Sequence, residues 1–99
     1  MAQVIWSPSA RRDLLAIHDH IALDSAFYAQ RFVLFMDERV TFLGAHPMMG
    51  HVVKEFGDRR IREIHAGAYR IIHRVTTAEV QIVRLFHSKR KLRHSDMER

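Results

Sequence analysis

Arg62, Arg70, Arg74 and Arg84 stand among isoleucines, valines and leucines, and His87, Lys89, Arg90 and Lys91 close the run. Guanidinium and ammonium groups gathered on one sheet would bind phosphates and stabilise the charge that develops when a phosphoryl group moves. His87 precedes Lys89 and Arg90, and neighbouring cations disfavour a protonated imidazole, which suits a neutral acid or base near pH 7. Tyr69 and Phe86 are the aromatics that a sheet here could offer to a nucleobase. Each arginine taken singly also reads as a solvated sheet residue whose stem covers apolar neighbours. His87 reads equally as a hydrogen-bonding cap. It is the cluster, and not any single residue, that marks a binding surface.

Charge sharpens it. Residues 1–57 hold 5 Lys/Arg against 6 Asp/Glu, whereas residues 58–99 hold 11 against 5, so the net +5 belongs to the C-terminal part of the chain. Nucleic acid, the ribosome or an acidic protein partner would suit that surface. Other classes drop out. There is no cysteine, hence no disulfide framework and no thiolate metal site. His18 and His20 point to different helix faces, and His46 and His51 lie in a loop without a carboxylate at ligand spacing, so no metal is expected. Glycine-rich phosphate loops, G-x-S-x-G and H-E-x-x-H are absent, and no cofactor is called for. No signal-peptide pattern and no apolar run of ~18–20 residues occurs, so a cytoplasmic protein without membrane contact is expected.

The cluster needs elements to position it. Gln3-Val4-Ile5-Trp6 reads as a short strand, and Ser7-Pro8 supplies an N-cap with proline at the first helical position. Ala10, Leu14, Ile17 and Ile21, widened by Leu15, give the first helix an apolar stripe ending near Leu23. Asp24-Ser25 opens a second helix with Ala29, Phe32, Met36, Val40 and Leu43 as its stripe, flanked by Tyr28, Phe35 and Phe42. Gly44 and Pro47 stop it, and an irregular crossing follows. From Arg59 the period becomes two, predicting strands over 59–65, 68–75 and 79–87 joined by turns at Ala66-Gly67 and Thr76-Thr77-Ala78. Neither later strand is cleanly amphipathic, so the core side of each residue stays open. The tail over 88–99 is charged, with room for a short helix and a partly mobile end. The expected fold is a single α+β domain over residues 1–99. A short N-terminal strand and an antiparallel two-helix hairpin precede a three-stranded antiparallel meander, with the helices on one sheet face and the other face free.

Ile61-Arg62-Glu63-Ile64, Tyr69-Arg70-Ile71-Ile72, the segment Val80 to Leu85 and His87-Ser88-Lys89-Arg90 resemble the RelE/ParE superfamily of bacterial toxins. Ser7-Pro8-Ser9-Ala10 and the Pro47-x-x-Gly50 element match upstream, and the resemblance spans residues 4–92. It implies a toxin of a type II toxin-antitoxin system, associated with growth inhibition and plasmid stabilisation and forming a hetero-oligomer with a cognate antitoxin. The H-x-x-R over His87–Arg90 and the long hairpin resemble the ParE branch, whose members poison DNA gyrase and are not enzymes. In the RelE-like alternative, an endoribonuclease cutting mRNA on the ribosome, Arg62, Arg70, Arg84 and His87 would be catalytic with Tyr69 in support. For a gyrase inhibitor, Arg62, Arg74, Arg84, His87, Lys89, Arg90 and Lys91 would bind the target.

One reading from another class is a DNA-binding helix-turn-helix, with the helices joined at Leu23-Asp24-Ser25 and the strands as a wing. The second helix carries only Arg31 and Arg39 as bases among its aromatics, a poor composition for reading base edges.

Overall fold

The computed structural model describes residues 2–97. β1 (Gln3–Trp6) leads into α1 (Pro8–Ala22) and α2 (Ala26–Ala45), and then come β2 (His51–Val52), β3 (Ile61–Ala66), β4 (Tyr69–Val75) and β5 (Glu79–His87). A 3-10 turn, His94–Met97, follows. The strands form one sheet in the order β1-β5-β4-β3-β2.

Local chemistry sets the helix ends. The Ser7 hydroxyl accepts from the Ala10 amide at 3.0 Å and donates to the Val83 carbonyl at 2.8 Å, so one side chain caps α1 and ties it to β5. Ser25 caps α2 by accepting from the Tyr28 amide at 3.1 Å. Helix α2 ends at Ala45, between Gly44 and Pro47, where the stop was expected. Gly44 lies inside the helix because β1 passes close by: an added Cβ would sit 3.0 Å from the Val4 side chain and 3.3 Å from the Ala2 carbonyl.

The antiparallel meander is present, and the sheet is wider than expected. β1 joins one edge parallel to β5, pairing Gln3 with Glu79 through to Trp6 with Ile82. β2, inside the stretch read as an irregular crossing, adds an opposite edge by pairing His51 with Glu63 and Val52 with Arg62. β3 begins at Ile61 instead of Arg59, because Asp58 closes a turn by accepting from the Arg60 amide at 2.9 Å.

The helices lie on one face as expected, antiparallel, with Arg11, Leu14 and Leu15 of α1 beside Val33, Leu34 and Asp37 of α2. They bury Met36, Val40 and Leu43 against Ile64, Ile71, Val80, Ile82 and Leu85. This hairpin is a layer of the sheet core and not a helix-turn-helix. The opposite face, expected to be free, is not. Val53, Ile61, Ile72, Val83 and Phe86 form a second cluster closed by Leu92, with Phe56 and Met97 packed against it. A bulge explains why alternation failed to assign the faces. Ile72 pairs with Arg84 and His73 with Ile82, leaving Val83 as an extra residue in β5. A sheet buried on both sides has no polar face to read.

Candidate functional site

Beyond Ile82, β5 has no strand on its β1 side among the described residues, and α1 supplies a carboxylate there instead. Asp13 Oδ2 accepts from the Leu85 amide at 2.9 Å, replacing a ladder bond at the open edge. The same carboxylate takes Arg84 in a bidentate pair, Nε to Oδ2 at 2.7 Å and Nη2 to Oδ1 at 3.0 Å. The hydrogen bonds to Asp13 raise the Arg84 guanidinium above its ordinary value, against the opposing pull of burial. Its remaining nitrogen donates to the Asp96 carbonyl at 2.6 Å. Arg84 thus reaches around the edge and joins α1 to the C-terminal tail.

Arg70 is held in the same way. It is 8% exposed and forms a bidentate pair with Glu63, at 3.2 Å and 2.5 Å. It also donates to the Arg90 carbonyl at 3.4 Å. Arg90 in turn pairs with Asp96 at 2.7 Å, and Asp96 accepts from the Arg93 amide at 2.8 Å. The Phe86 ring has the guanidinium carbons of Arg84 and Arg90 at 4.6 and 4.4 Å from its centroid. These bonds hold the tail down, and Leu92 and Asp96 are buried beneath it.

Arg62 does a different structural job. Its Nη2 donates to the Gly50 carbonyl at 2.9 Å and its Nη1 to the Arg59 carbonyl at 3.3 Å. Directly opposite on β4 stands His73, fully buried, with Nε2 at 3.1 Å from the Pro47 carbonyl. A carbonyl only accepts, so that nitrogen carries the proton. The cross-strand pair therefore pins the loop after α2 at two points. Arg62 Nε and His73 Nδ1 are buried without a hydrogen-bond partner among the described residues. Burial pushes the His73 imidazole below its usual value, the bond to Pro47 opposes this, and the charge of Arg62 lowers it further.

The remaining cations form the exposed exit of β5. His87, Lys89, Arg90 and Lys91 all face solvent. His87 Nδ1 accepts from the Lys89 amide at 3.2 Å, which leaves Nε2 for the proton of the neutral ring. The His87 ring meets Tyr69 edge-on at 5.6 Å, and Tyr69 meets Phe32 edge-on at 5.2 Å. Tyr69, His87 and Arg90, with Asp13, Ile17 and Phe86, line a hollow of about 210 Å³. The structure thus brings Tyr69, His87, Lys89, Arg90 and Lys91 to one end of the sheet and Arg70 and Arg84 beneath them, bound to carboxylates. Arg62 sits at the loop after α2, and Arg74 near the far end of β4, opposite Gln81. Sequence reasoning passed over Asp13, Glu63 and Asp96, the acids that engage these arginines. Glu63 carried a signal, since it lies within the basic run; Asp13, 71 residues from Arg84, carried none.

A second surface belongs to the hairpin. Leu15, Leu23, Phe27, Tyr28 and Leu34 are exposed at 57–82%. A groove of about 500 Å³ runs between the helices, floored by Trp6, Leu14 and Val33 and flanked by Arg11, His18 and Asp37. So much exposed apolar area on a small chain marks an interaction face. Among the described residues no helix is long and apolar enough to cross a membrane.

Residues 4–92 match the family described as the ParE toxin of the type II toxin-antitoxin system, parDE. Toxin RelE2 of Caulobacter vibrioides is 34% identical over 91 residues, covering 91% of this chain and 99% of that protein. A chain of the chromosomal ParDE toxin-antitoxin system from P. aeruginosa superposes with a TM-score of 0.76 at 26% identity, covering 90% of this chain and 98% of the other.

Proposed function

The chain belongs to the ParE toxin family of type II toxin-antitoxin systems, and on that premise we propose that it arrests growth by poisoning DNA gyrase and is silenced by a cognate antitoxin. The observation that carries the target is the state of the arginines. An mRNA-cutting site needs guanidinium groups free to hold a phosphate, whereas Arg70 and Arg84 each already hold a carboxylate through two hydrogen bonds. Arg62 is committed to two backbone carbonyls. What stays available, His87, Lys89 and Lys91, is a contact surface with no catalytic requirement, and Arg90 beside them is exposed but paired with Asp96. Gyrase acts inside the cell, consistent with a cytoplasmic toxin.

The antitoxin covers the hairpin. Its segment is acidic and partly disordered when free, and it lays an apolar helix face into the groove between α1 and α2 while its charge meets the basic part of the sheet. A second reading, ribosome-dependent mRNA cleavage, draws on the likeness to the protein named Toxin RelE2 and on the hollow that Tyr69, His87 and Arg90 share. In it His87 moves the proton and Arg90 holds the phosphate.

Inducing the chain in a bacterial host separates the two. Gyrase poisoning gives DNA breaks, SOS induction and filamentation. Prompt translational arrest with codon-positioned mRNA cuts, and no DNA breakage, would replace gyrase by the ribosome.

A further inference from the structure

On the sheet face away from the helices, Ile5, Gln81 and Arg74 stand in one row across β1, β5 and β4. With Val83, Met97 and the first turn of α1 they enclose a hollow of about 150 Å³. Arg74 is half-buried there, and its side chain makes no hydrogen bond or ion pair among the described residues. Asp58 feels its charge, but Asp58 is already engaged by the Arg60 amide and by two Arg60 side-chain nitrogens at 2.9–3.3 Å. Among the arginines of the sheet that face carboxylates or carbonyls, Arg74 is thus the exception. Beside it, Gln81 spends its amide Nε2 on Glu79 at 2.9 Å, so its carbonyl oxygen is left as an acceptor. The rest of the wall is Ile5, Trp6, Pro8, Val83 and Met97, together with Ser7 and Ser9, whose hydroxyls are engaged by the Val83 carbonyl and Ala10 amide and by Arg12.

A cation, an amide acceptor and an apolar hollow, side by side, specify a ligand of defined chemistry. It carries a carboxylate for Arg74, an N–H for Gln81 and a medium-sized apolar side chain for the hollow. Cavities of about 150 Å³ hold a group the size of benzene. We propose that this hollow binds the C-terminal residue of a peptide, an apolar residue with its free carboxylate and its amide N–H. Inorganic phosphate brings the charge but neither the N–H nor the side chain. The proposal stands whether the target of the toxin is gyrase or the ribosome.

The test is titration of the full-length chain, followed by amide and indole shifts in ¹H–¹⁵N spectra. N-acetyl-leucine should bind saturably, moving Trp6, Gln81 and Val83. N-acetyl-leucinamide, which lacks the charge, and the Arg74→Gln variant with N-acetyl-leucine should each bind at least about tenfold more weakly. Acetyl-Gly-Ala-Leu with a free C-terminus should bind at least as tightly as N-acetyl-leucine. Equal binding of the leucinamide, or unchanged affinity in a folded Arg74→Gln chain, overturns the anion site. Exclusion of the longer peptide overturns the peptide assignment in favour of a free acylated amino acid. Saturable binding of inorganic phosphate at the same residues overturns the selection for a carboxylate. Absence of any saturable shift overturns the proposal entirely.

Discussion

Two basic regions lie on the paired strands β4 and β5 and at the exit of β5, and they differ in what their cations touch. Arg70 and Arg84 are partly or fully buried, each bidentate on a carboxylate from another element. Lys89 and Lys91, a few residues on, are exposed. The first region holds β3, α1 and the tail against the sheet, and the second is available to a partner. Cationic side chains that look alike in a sequence thus divide by whether an acid from a distant segment reaches them. Only the unreached ones can carry recognition at little cost to stability.

The largest effect should come from breaking the tied region. Arg84→Ala leaves Asp13 without its partner and Asp13→Ala leaves Arg84 so, and at their partial burial each should cost roughly 2–4 kcal/mol. For a domain of this size that is on the order of 10–25 °C in Tm, read by thermal circular dichroism. A Tm that does not move while growth inhibition disappears would place Arg84 among the target contacts and erase the distinction between the regions. Leu92→Ala should cost about 2–3 kcal/mol by opening a cavity under the tail. A loss below about 0.5 kcal/mol would mean the tail is not held on the second face.

His73 sharpens the comparison through pH. Its folded value lies below the ordinary 6.5, so the unfolded chain binds the proton more readily. The stabilisation it supports is complete above about pH 6.5 and drains away as pH falls below that, by up to about 1.4 kcal/mol per pH unit. Urea midpoints at pH 7.5 and 5.5 should fall further apart in the wild type than in His73→Phe. Equal differences would remove His73 as the loop's acid-sensitive pin. The smallest effect on stability should come from the exit. Lys89→Ser with Lys91→Ser should change unfolding free energy by less than about 0.5 kcal/mol while growth inhibition is lost.

Much of the frame was legible because it rests on local rules. Ser7-Pro8 and Ser25 carry caps that act within three residues, and the change of period near residue 60 reports a strand whatever packs on it. The rest depends on segments far apart. β2 is two residues long and exists only because β3 lies beside it. Gly44 reads as no more than a stop until β1 is seen to need its missing side chain. The bulge at Val83 resets alternation at a point that no residue type marks. Tyr69, His87 and Lys89 to Lys91 could be grouped from sequence, since they close one antiparallel pair. That Arg84 is spoken for could not, because Asp13 and Asp96 arrive from opposite ends of the chain, whereas Glu63, which holds Arg70, lies within the basic run.

The claim that the exit of β5 is the working surface meets its most direct test in gyrase-dependent cleavage of supercoiled plasmid, with purified wild type beside the Lys89→Ser, Lys91→Ser double variant. Linear DNA should accumulate with the wild type and fall at least about tenfold with the variant at an unchanged Tm. Equal linear DNA from both, or none from either alongside ribosome-dependent mRNA cuts, would contradict the account.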